Sequence, residues 1–131
     1  MPVIYELDRT SALIRTRCVD QVTVTEIAAH FQELLGEAEL PNPLDTLLDL
    51  SEMQGVPEAN ELQSVVTEMA LLKQRLGLGA IAIVAEEDIM FGMIRMFTVF
   101  LEPHFTGVSV FRKAQEAEGW LSDIGGAGAN R

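Results

Sequence analysis

The first twenty residues have the pattern of two short strands. "VIYELD" (3–8) and "SALIRTRCV" (11–19) are rich in β-branched, aromatic and other apolar side chains that alternate with polar ones. Asp and Ser in the segment "DRTS" between them favour a turn. The pattern therefore predicts an antiparallel hairpin at the start of the chain.

Two amphipathic segments follow, and each predicts a helix. In "VTVTEIAAHFQELLGE" (22–37), Thr23 and Glu26 have the spacing of a capping box, and Gly36 suits a left-handed stop. The apolar stripe of this helix comprises Ile27, Phe31, Leu34 and Leu35. A longer helix is predicted in "PEANELQSVVTEMALLKQRLGLG" (57–79), ending at Gly77. Its apolar face comprises Leu62, Val65, Val66, Met69, Leu72 and Leu76.

Short apolar runs predict buried strands. They are "LDTLLDL" (44–50), "AIAIVA" (80–85) and "GVSVF" (107–111), and the second has the composition of a strand covered on both faces. A last helix is predicted in "KAQEAEGWLSDI" (113–124). Its expected inner face comprises Ala114, Ala117, Trp120, Leu121 and Ile124.

With a further helix at 88–101, the predicted order is β-β-α-β-α-β-α-β-α. Strands that alternate with helices imply right-handed parallel crossovers. The expected fold class is α/β, with a single-layer, mixed, mostly parallel five-stranded sheet and helices packed on it. The 131 residues fit one domain, predicted at 1–124, and the Gly-rich segment 125–131 is expected to be a flexible tail.

The segment "EEDIMFGMIRMFTVFLE" (86–102) is apolar almost all the way round a helix. Three interpretations stay open. The helix is buried between the sheet and another helix, or it is half-buried and packs on a second copy, or it moves and lines a pocket for an apolar ligand. Arg95 needs an acidic partner or an exit to water in any of them, and Gly92 permits close approach of another backbone.

Charge narrows the choice of partners. The net charge is −11, which argues against binding nucleic acid or an anionic membrane surface. No Lys or Arg lies between Arg17 and Lys73, so the flank 18–72 is expected to be strongly negative. That flank is interpreted either as a solvated surface or as a docking surface for a basic partner.

Other sequence features predict a soluble cytoplasmic protein. Glu86, Glu87 and Asp88 interrupt the longest apolar stretch, so no integral membrane segment is expected. The start of the chain lacks the pattern of a signal peptide, and Cys18 is the single cysteine, which suits a reducing compartment. Cys18 itself is expected to be a buried small hydrophobe.

Three stretches resemble the SpoIIAA-like proteins, which are small relatives of the STAS domain. They are "TLLDLSEM" (46–53), "FGMIRMFTVF" (91–100) and "VFRKAQEAEGWL" (110–121), and the likeness covers about residues 1 to 122. The resemblance implies a SpoIIAA/STAS-like fold, similar to the lipid-binding lobe of CRAL-TRIO proteins. It also implies a binding or regulatory role more than catalysis.

The chain departs from anti-anti-sigma STAS domains at their phosphorylatable serine. The matching region here, "MQGVPEANELQ" (53–63), contains no Ser or Thr. Ser51 lies at the strand end, and Ser64 lies about two turns into the helix. A phosphoserine switch at the helix N-terminus is therefore not expected.

Polar residues after the buried strands are the candidates for chemistry. Asp49, Ser51 and Gln54 follow one strand and Glu86 follows another, at the sheet edge where α/β proteins bind ligands. Asp49 and Glu86 could together hold a hard cation, or Asp49 could accept hydrogen bonds from the loop while Glu87 and Asp88 favour a helix start.

His30 is expected on the polar face of its helix with Glu26 and Glu33, and neither it nor His104 has the second ligand that a zinc site needs. No cofactor motif occurs.

Three functions follow from these features. The first is a non-enzymatic interaction module that binds itself as a homodimer, or binds another protein, through the surface of helix 88–101 and the acidic flank. The second is a carrier of a lipid-like apolar molecule, held by the helix against the sheet with Arg95 gripping an acidic headgroup. The residues assigned to this ligand or interface site are Met90, Met93, Ile94, Arg95, Phe97 and Leu101. The third is a metal-assisted enzyme that uses Asp49 and Glu86.

Overall fold

A computed structural model describes residues 3–37, 40–41, 43–55, 58–73 and 77–129. Within them, strands and helices follow in the predicted order. The strands are β1 (Val3–Asp8), β2 (Leu13–Asp20), β3 (Leu44–Met53), β4 (Leu78–Val84) and β5 (Gly107–Phe111). The α-helices are α1 (Val24–Leu35), α2 (Ala59–Lys73), α3 (Asp88–Leu101) and α4 (Ala114–Ala129). A short 3-10 helix, Glu102–His104, follows α3.

The five strands form one sheet in the order β1-β2-β3-β4-β5. β1 pairs antiparallel with β2, whereas β2, β3, β4 and β5 pair parallel. The predicted α/β fold, with a mixed and mostly parallel sheet that begins in a hairpin, is confirmed. The hairpin turn is held by Asp8, whose carboxylate accepts a hydrogen bond from the Ser11 backbone N–H at 3.0 Å.

The strand order decides where the helices lie. Each parallel crossover moves one strand along in the same direction, so right-handed crossovers place α1, α2 and α3 on one face of the sheet. α4 follows the last strand and covers the opposite face. β4 separates the two layers, since Ile81 and Ile83 pack with Met90 and Ile94 of α3. Ala80, Ala82 and Val84 pack with Ala117 and Leu121 of α4.

β4 is covered on both sides, as its sequence predicts. Residues 79–85 are all buried, and the relative exposure of Ile81 is 0%. Gly79 is required at the start of this strand, because a Cβ there would lie 2.2 Å from a carboxylate oxygen of Asp45. The same Asp45 oxygen accepts the Ala80 backbone N–H at 2.9 Å, which ties the start of β3 to β4.

The two ends of α1 give one confirmed prediction and one wrong prediction. The capping box is present: the Thr23 side chain accepts the backbone N–H of Glu26, and the Glu26 side chain accepts that of Thr23. Gly36 caps the other end but is right-handed, with φ −80° and its N–H bonded to Glu33 O at 3.0 Å. The helix therefore ends in a tight right-handed turn and does not need the left-handed freedom of glycine.

α4 is longer than its apolar pattern predicts. Its helical backbone continues to Ala129 and includes residues 125–129 of the expected tail. Asn130, Arg131 and the predicted α2 residue Leu76 lie outside the described residues, as does the side chain of Leu72. The domain boundary at 124 stays a prediction.

Candidate functional site

α3 has an inner face that belongs to the core. Met90, Ile94, Phe97 and Leu101 recur at the three- and four-residue spacing of a helix, and their relative exposures are between 4% and 9%. Met90, Ile94 and Leu101 share one cluster with Ile81, Ile83 and Met69. These residues hold α3 on the sheet, so four of the six predicted site residues are inaccessible from outside.

The outer face of α3 is also apolar. Relative exposures reach 72% for Ile89, 72% for Met96, 62% for Val99 and 47% for Phe100. Gly92 lies among them, and a Cβ built on it meets no atom within 4 Å. We call Ile89, Gly92, Met96, Val99 and Phe100 the outer stripe. Met93 is half-buried at its margin.

Charged groups flank the outer stripe at the helix start. Glu86, Glu87 and Asp88 are all exposed, and Glu87 is the N-cap residue although its side chain caps no N–H. Arg112, from the end of β5, forms an ion pair with Asp88 and lies 4.3 Å above the ring of Phe91. It also donates to the Glu86 carbonyl at 3.3 Å, so it anchors the start of α3 to β5.

Arg95 is exposed and lies one helical turn before Val99. Among the described residues its guanidinium makes no ion pair, in contrast to Arg9, Arg15, Arg17 and Arg112. Its carbonyl accepts the Thr98 hydroxyl at 2.7 Å. The exit to water that the sequence requires for Arg95 is therefore present.

The predicted apolar pocket does not lie beneath α3. A cavity of about 50 Å³ lies instead between the sheet and the helices α1 and α2, and no α3 residue lines it. Its lining includes Ile14, Leu34, Leu48, Val65 and Met69. An apolar cavity needs roughly 150 Å³ to take up benzene. The space is therefore too small for a fatty acid or phospholipid.

One polar pair interrupts this apolar lining. His30 Nε2 lies 3.3 Å from Thr16 Oγ1, and the Tyr5 ring centroid lies 5.0 Å from that of His30. Burial lowers the pKa of His30 to about 4. His30 is thus a neutral, buried histidine of the core, whereas the sequence pattern predicted a polar helix face for it.

Cys18 also lines the cavity and is 1% exposed. Burial, helped by the negative charges of Asp49 and Glu26, raises its pKa to about 12. A thiol in this state is not a nucleophile at neutral pH. The prediction of a buried small hydrophobe is confirmed.

The candidates at the carboxyl edge of the sheet do not form one polar site. The Asp49 carboxylate accepts both the backbone N–H of Ser51 at 2.9 Å and its hydroxyl at 2.6 Å. Gln54 is exposed, and its backbone N–H bonds Asp20 O at 2.7 Å. The cavity between Ser51 and Met53 on one side and Glu86 and Met90 on the other has a volume of only about 10 Å³. The predicted strand 44–50 continues to Met53, so the bonds between Asp49 and Ser51 lie inside β3, next to an irregularity in its pairing with β2, and not in a loop.

A more polar groove of about 410 Å³ lies on the other face, between the hairpin, β3 and α4. Its charged groups already have partners. Arg15 pairs with Glu118 at 2.8 Å and with Asp8 at 3.6 Å. Asp45 bonds the Ala80 N–H, and burial raises its pKa. These contacts fasten α4 and the hairpin to the sheet, and they account for the charges without a ligand.

Among the residues that the structure describes, no three His, Cys, Asp or Glu side chains are grouped so that they could hold a metal ion. No helix among them is both long enough and apolar enough to cross a membrane.

The sequence-based site assignment missed the outer stripe. Ile89, Met96, Val99 and Phe100 have the same helical spacing as the inner residues, because both faces of α3 are apolar. The three acids that precede and begin α3 are a sequence signal that this end of the helix is exposed to solvent, as it is at Glu87. The strand order, which fixes the covered face, is not encoded in the pattern of one helix.

Comparisons with known proteins agree with the geometry. The family model described as SpoIIAA-like matches residues 13–122. A crystal structure of an uncharacterised protein with a SpoIIAA-like fold from Shewanella loihica PV-4 superposes with a TM-score of 0.62. The two sequences are 17% identical, and the match covers 91% of this chain and 93% of that one. Comparison with curated protein sequences finds no match.

Proposed function

The chain belongs to the SpoIIAA-like family, and from that premise we propose that it is a non-enzymatic interaction module that forms a homodimer through the outer stripe of α3. The proposal concerns binding, because the candidate catalytic groups are engaged in the fold. Asp49 bonds Ser51 within β3, Cys18 is a buried thiol and His30 is a buried neutral imidazole.

The observation that carries the proposal is the exposure of the outer stripe. Four large apolar side chains, Ile89, Met96, Val99 and Phe100, are each at least 47% exposed on one helix. Monomeric proteins rarely expose contiguous apolar patches larger than about a few hundred Å², and larger patches usually mark interaction sites. Covering one such side chain completely stabilises a complex by roughly 1.5–3 kcal/mol.

A second copy of this chain is the occupant that the surface fits best. A two-fold interface uses the same patch on both copies, so an apolar stripe meets an equally apolar stripe. Gly92 leaves open space in the middle of the stripe, which lets a second helix approach closely there. The flanking charges are of both signs, Arg95 on one side and three acids at the helix start, and they are therefore self-complementary.

The expected dimer is weak. α3 has 14 residues and is about 21 Å long. One face of such a helix covers less than the roughly 800 Å² per partner of a standard interface. We therefore expect dissociation in the micromolar range, and the dimer is to be sought at high protein concentration.

The test is sedimentation velocity over a dilution series of the wild type and of Met96→Gln/Val99→Gln. Glutamine keeps the helix propensity and removes the apolar contact. We expect the wild type to pass from dimer to monomer on dilution, and the double variant to dissociate at a concentration at least about tenfold higher. Ile4→Thr is the matched control, because Ile4 is 44% exposed on β1 but points to the face opposite Val3.

The outcomes separate the candidate functions. A wild type that stays monomeric at the highest soluble concentration contradicts the proposal. A dimer that responds equally to Ile4→Thr also contradicts it, because the stripe is then not the interface. Native mass spectrometry of the same sample distinguishes the carrier, which would appear as a monomer with retained lipid-sized mass.

A further inference from the structure

We infer that the two copies pack their α3 helices antiparallel, with Arg95 of each copy lying against the acidic start of α3 in the other. This inference rests on the proposed function and adds to it the orientation of the dimer and the charges that select it. Three features support it: within the part of the chain that the structure describes, Arg95 forms no ion pair, Glu86 and Glu87 form none either, and the spacing of Asp88 and Arg95 along the helix fits.

The exposed guanidinium of Arg95 is available for an ion pair with a partner. The molecule is strongly acidic, and Arg9, Arg15, Arg17 and Arg112 each form an ion pair with Asp or Glu. In the described part of the chain Arg95 forms none, and it lies at the flank of the outer stripe. An interface that covered its apolar neighbours would also desolvate Arg95, so an acid must face it there.

The acids at the start of α3 are the matching groups. Glu86 and Glu87 are exposed, and their carboxylates form no ion pair with the residues that the structure describes. Asp88 is shared with Arg112, but 89% of its side chain remains exposed. Arg112 thus neutralises one of three negative charges, and the remainder can accept a second cation.

The spacing fixes the orientation. Asp88 and Arg95 are seven residues apart, which places them on the same side of the helix about 10 Å apart along its axis. In an antiparallel pair, each flank meets the same flank of the other copy with the order reversed. Arg95 then lies beside the acidic start of the partner helix, and the contact occurs twice by symmetry.

The parallel alternative is disfavoured by the same charges. It would bring Glu86, Glu87 and Asp88 of both copies to the same end of the interface and leave the two Arg95 side chains on opposite flanks, each without an acid of the partner beside it. Like charges gathered at one end of an interface oppose association and so disfavour this arrangement. Gly92 lies between the acids and Arg95, so it falls near the crossing point of the antiparallel pair, where close approach is needed.

The experiment exchanges charges between copies at a fixed ionic strength near 0.15 M, at which long-range charge effects are screened. Arg95→Glu and Glu86→Lys/Glu87→Lys are each expected to raise the dissociation constant of their own homodimer at least about fivefold. When the two variants are mixed, every opposed pair is again of opposite sign. We expect a heterodimer with close to wild-type affinity, measured by sedimentation with one variant fluorescently labelled.

Arg17→Glu is the matched control. It makes the same change in net charge, its side chain is 50% exposed, and it lies on β2 away from α3. If Arg95→Glu weakens the dimer no more than Arg17→Glu does, or if the mixture forms no heterodimer, the antiparallel arrangement is overturned while the dimer itself stands. If no protein dimerises, the wild type included, the proposed function fails first.

Discussion

At the scale of single residues, the most telling group is His30. A histidine on the polar side of an amphipathic pattern is expected to meet water, yet His30 is 6% exposed and packs against Tyr5 and Thr16. His30 lies three residues after Ile27 and four before Leu34, so on the helix it borders the apolar stripe that faces the core. A neutral imidazole at the edge of that stripe thus becomes part of the core.

The burial of His30 predicts that the folded protein becomes less stable in acid. Its pKa falls from an ordinary value near 6.5 to about 4 on burial, so the unfolded chain binds a proton more readily than the folded one. The free energy of unfolding therefore decreases as the pH falls from about 6.5 to about 4, by on the order of 3 kcal/mol at most. Urea unfolding at several pH values in that window measures it.

The variants for this measurement are His30→Gln and, as a control, His104→Gln in the half-buried turn after α3. Glutamine can still hydrogen-bond Thr16 but does not titrate. We expect the decrease between pH 6.5 and 4 to shrink in His30→Gln and to persist in His104→Gln. The Ser11 backbone N–H lowers the pKa of Asp8, whose contribution is lost only in stronger acid, whereas burial raises the pKa of Asp45, whose opposite contribution is common to both variants. An unchanged pH profile in His30→Gln would contradict the assignment.

At the scale of elements, α3 combines two apolar faces with different roles. The inner face packs on β4, and the outer stripe is in water. Sequence reasoning identified the helix, its bounds and its unusual composition. It could not divide the ten apolar residues between the two faces, because the polar flank formed by Asp88, Arg95 and Thr98 lies between them and does not show which face meets the sheet. Four inner residues were accordingly placed in a candidate site that the outer stripe is better positioned to form.

The division of α3 predicts two different mutational responses. Ile94→Ala removes a side chain that is 4% exposed, and the lost contacts and cavity should lower the free energy of unfolding by about 2–5 kcal/mol. Met96→Ala changes a side chain that is 72% exposed and should alter it by less than about 0.5 kcal/mol. Chemical denaturation at a protein concentration low enough to keep both variants monomeric makes the comparison. Equal losses would mean that Met96 is also part of the core.

At the scale of the whole molecule, the alternation of strands and helices was sufficient to predict the fold class. The hairpin, the buried β4 and the capping box of α1 each follow from a local pattern that the structure confirms. The site was harder to predict, because it depends on which strands are neighbours. Asp49 lies inside β3 opposite Val84 at the end of β4, and its carboxylate bonds Ser51, while the cavity beside Glu86 has a volume of only about 10 Å³.

A side chain fills the point at the end of the sheet where ligands of α/β proteins usually bind. Helices change face only between β4, which leads to α3, and β5, which leads to α4, and ligands of α/β proteins usually bind at such a point. Here Arg112 occupies it, with its guanidinium on Asp88 and over Phe91. The position that a ligand usually takes is therefore filled by Arg112, which holds the start of α3. The outer stripe of that helix is the better candidate for binding.

Net charge sets the conditions under which such a dimer forms. Each copy carries a net charge of −11, and a domain of this size has its centre roughly 35 Å from that of a partner in contact. Treated as point charges in water, two copies repel by roughly 4 kcal/mol at 0.01 M salt, but by well under 1 kcal/mol at 0.15 M, because the Debye length shortens from about 30 to 8 Å. The exposed Arg95 pairs are worth about 1 kcal/mol or less each.

Salt should therefore strengthen the dimer, although ion pairs across the interface are screened at the same time. We expect the dissociation constant to fall at least about tenfold between 0.01 and 0.15 M salt, since the general repulsion exceeds the two local attractions. Sedimentation velocity of the wild type at both ionic strengths measures this, with Met96→Gln/Val99→Gln showing that the salt effect acts on the same interface. A dimer that weakens steadily with salt would mean that charge pairs, and not the outer stripe, hold the two copies together.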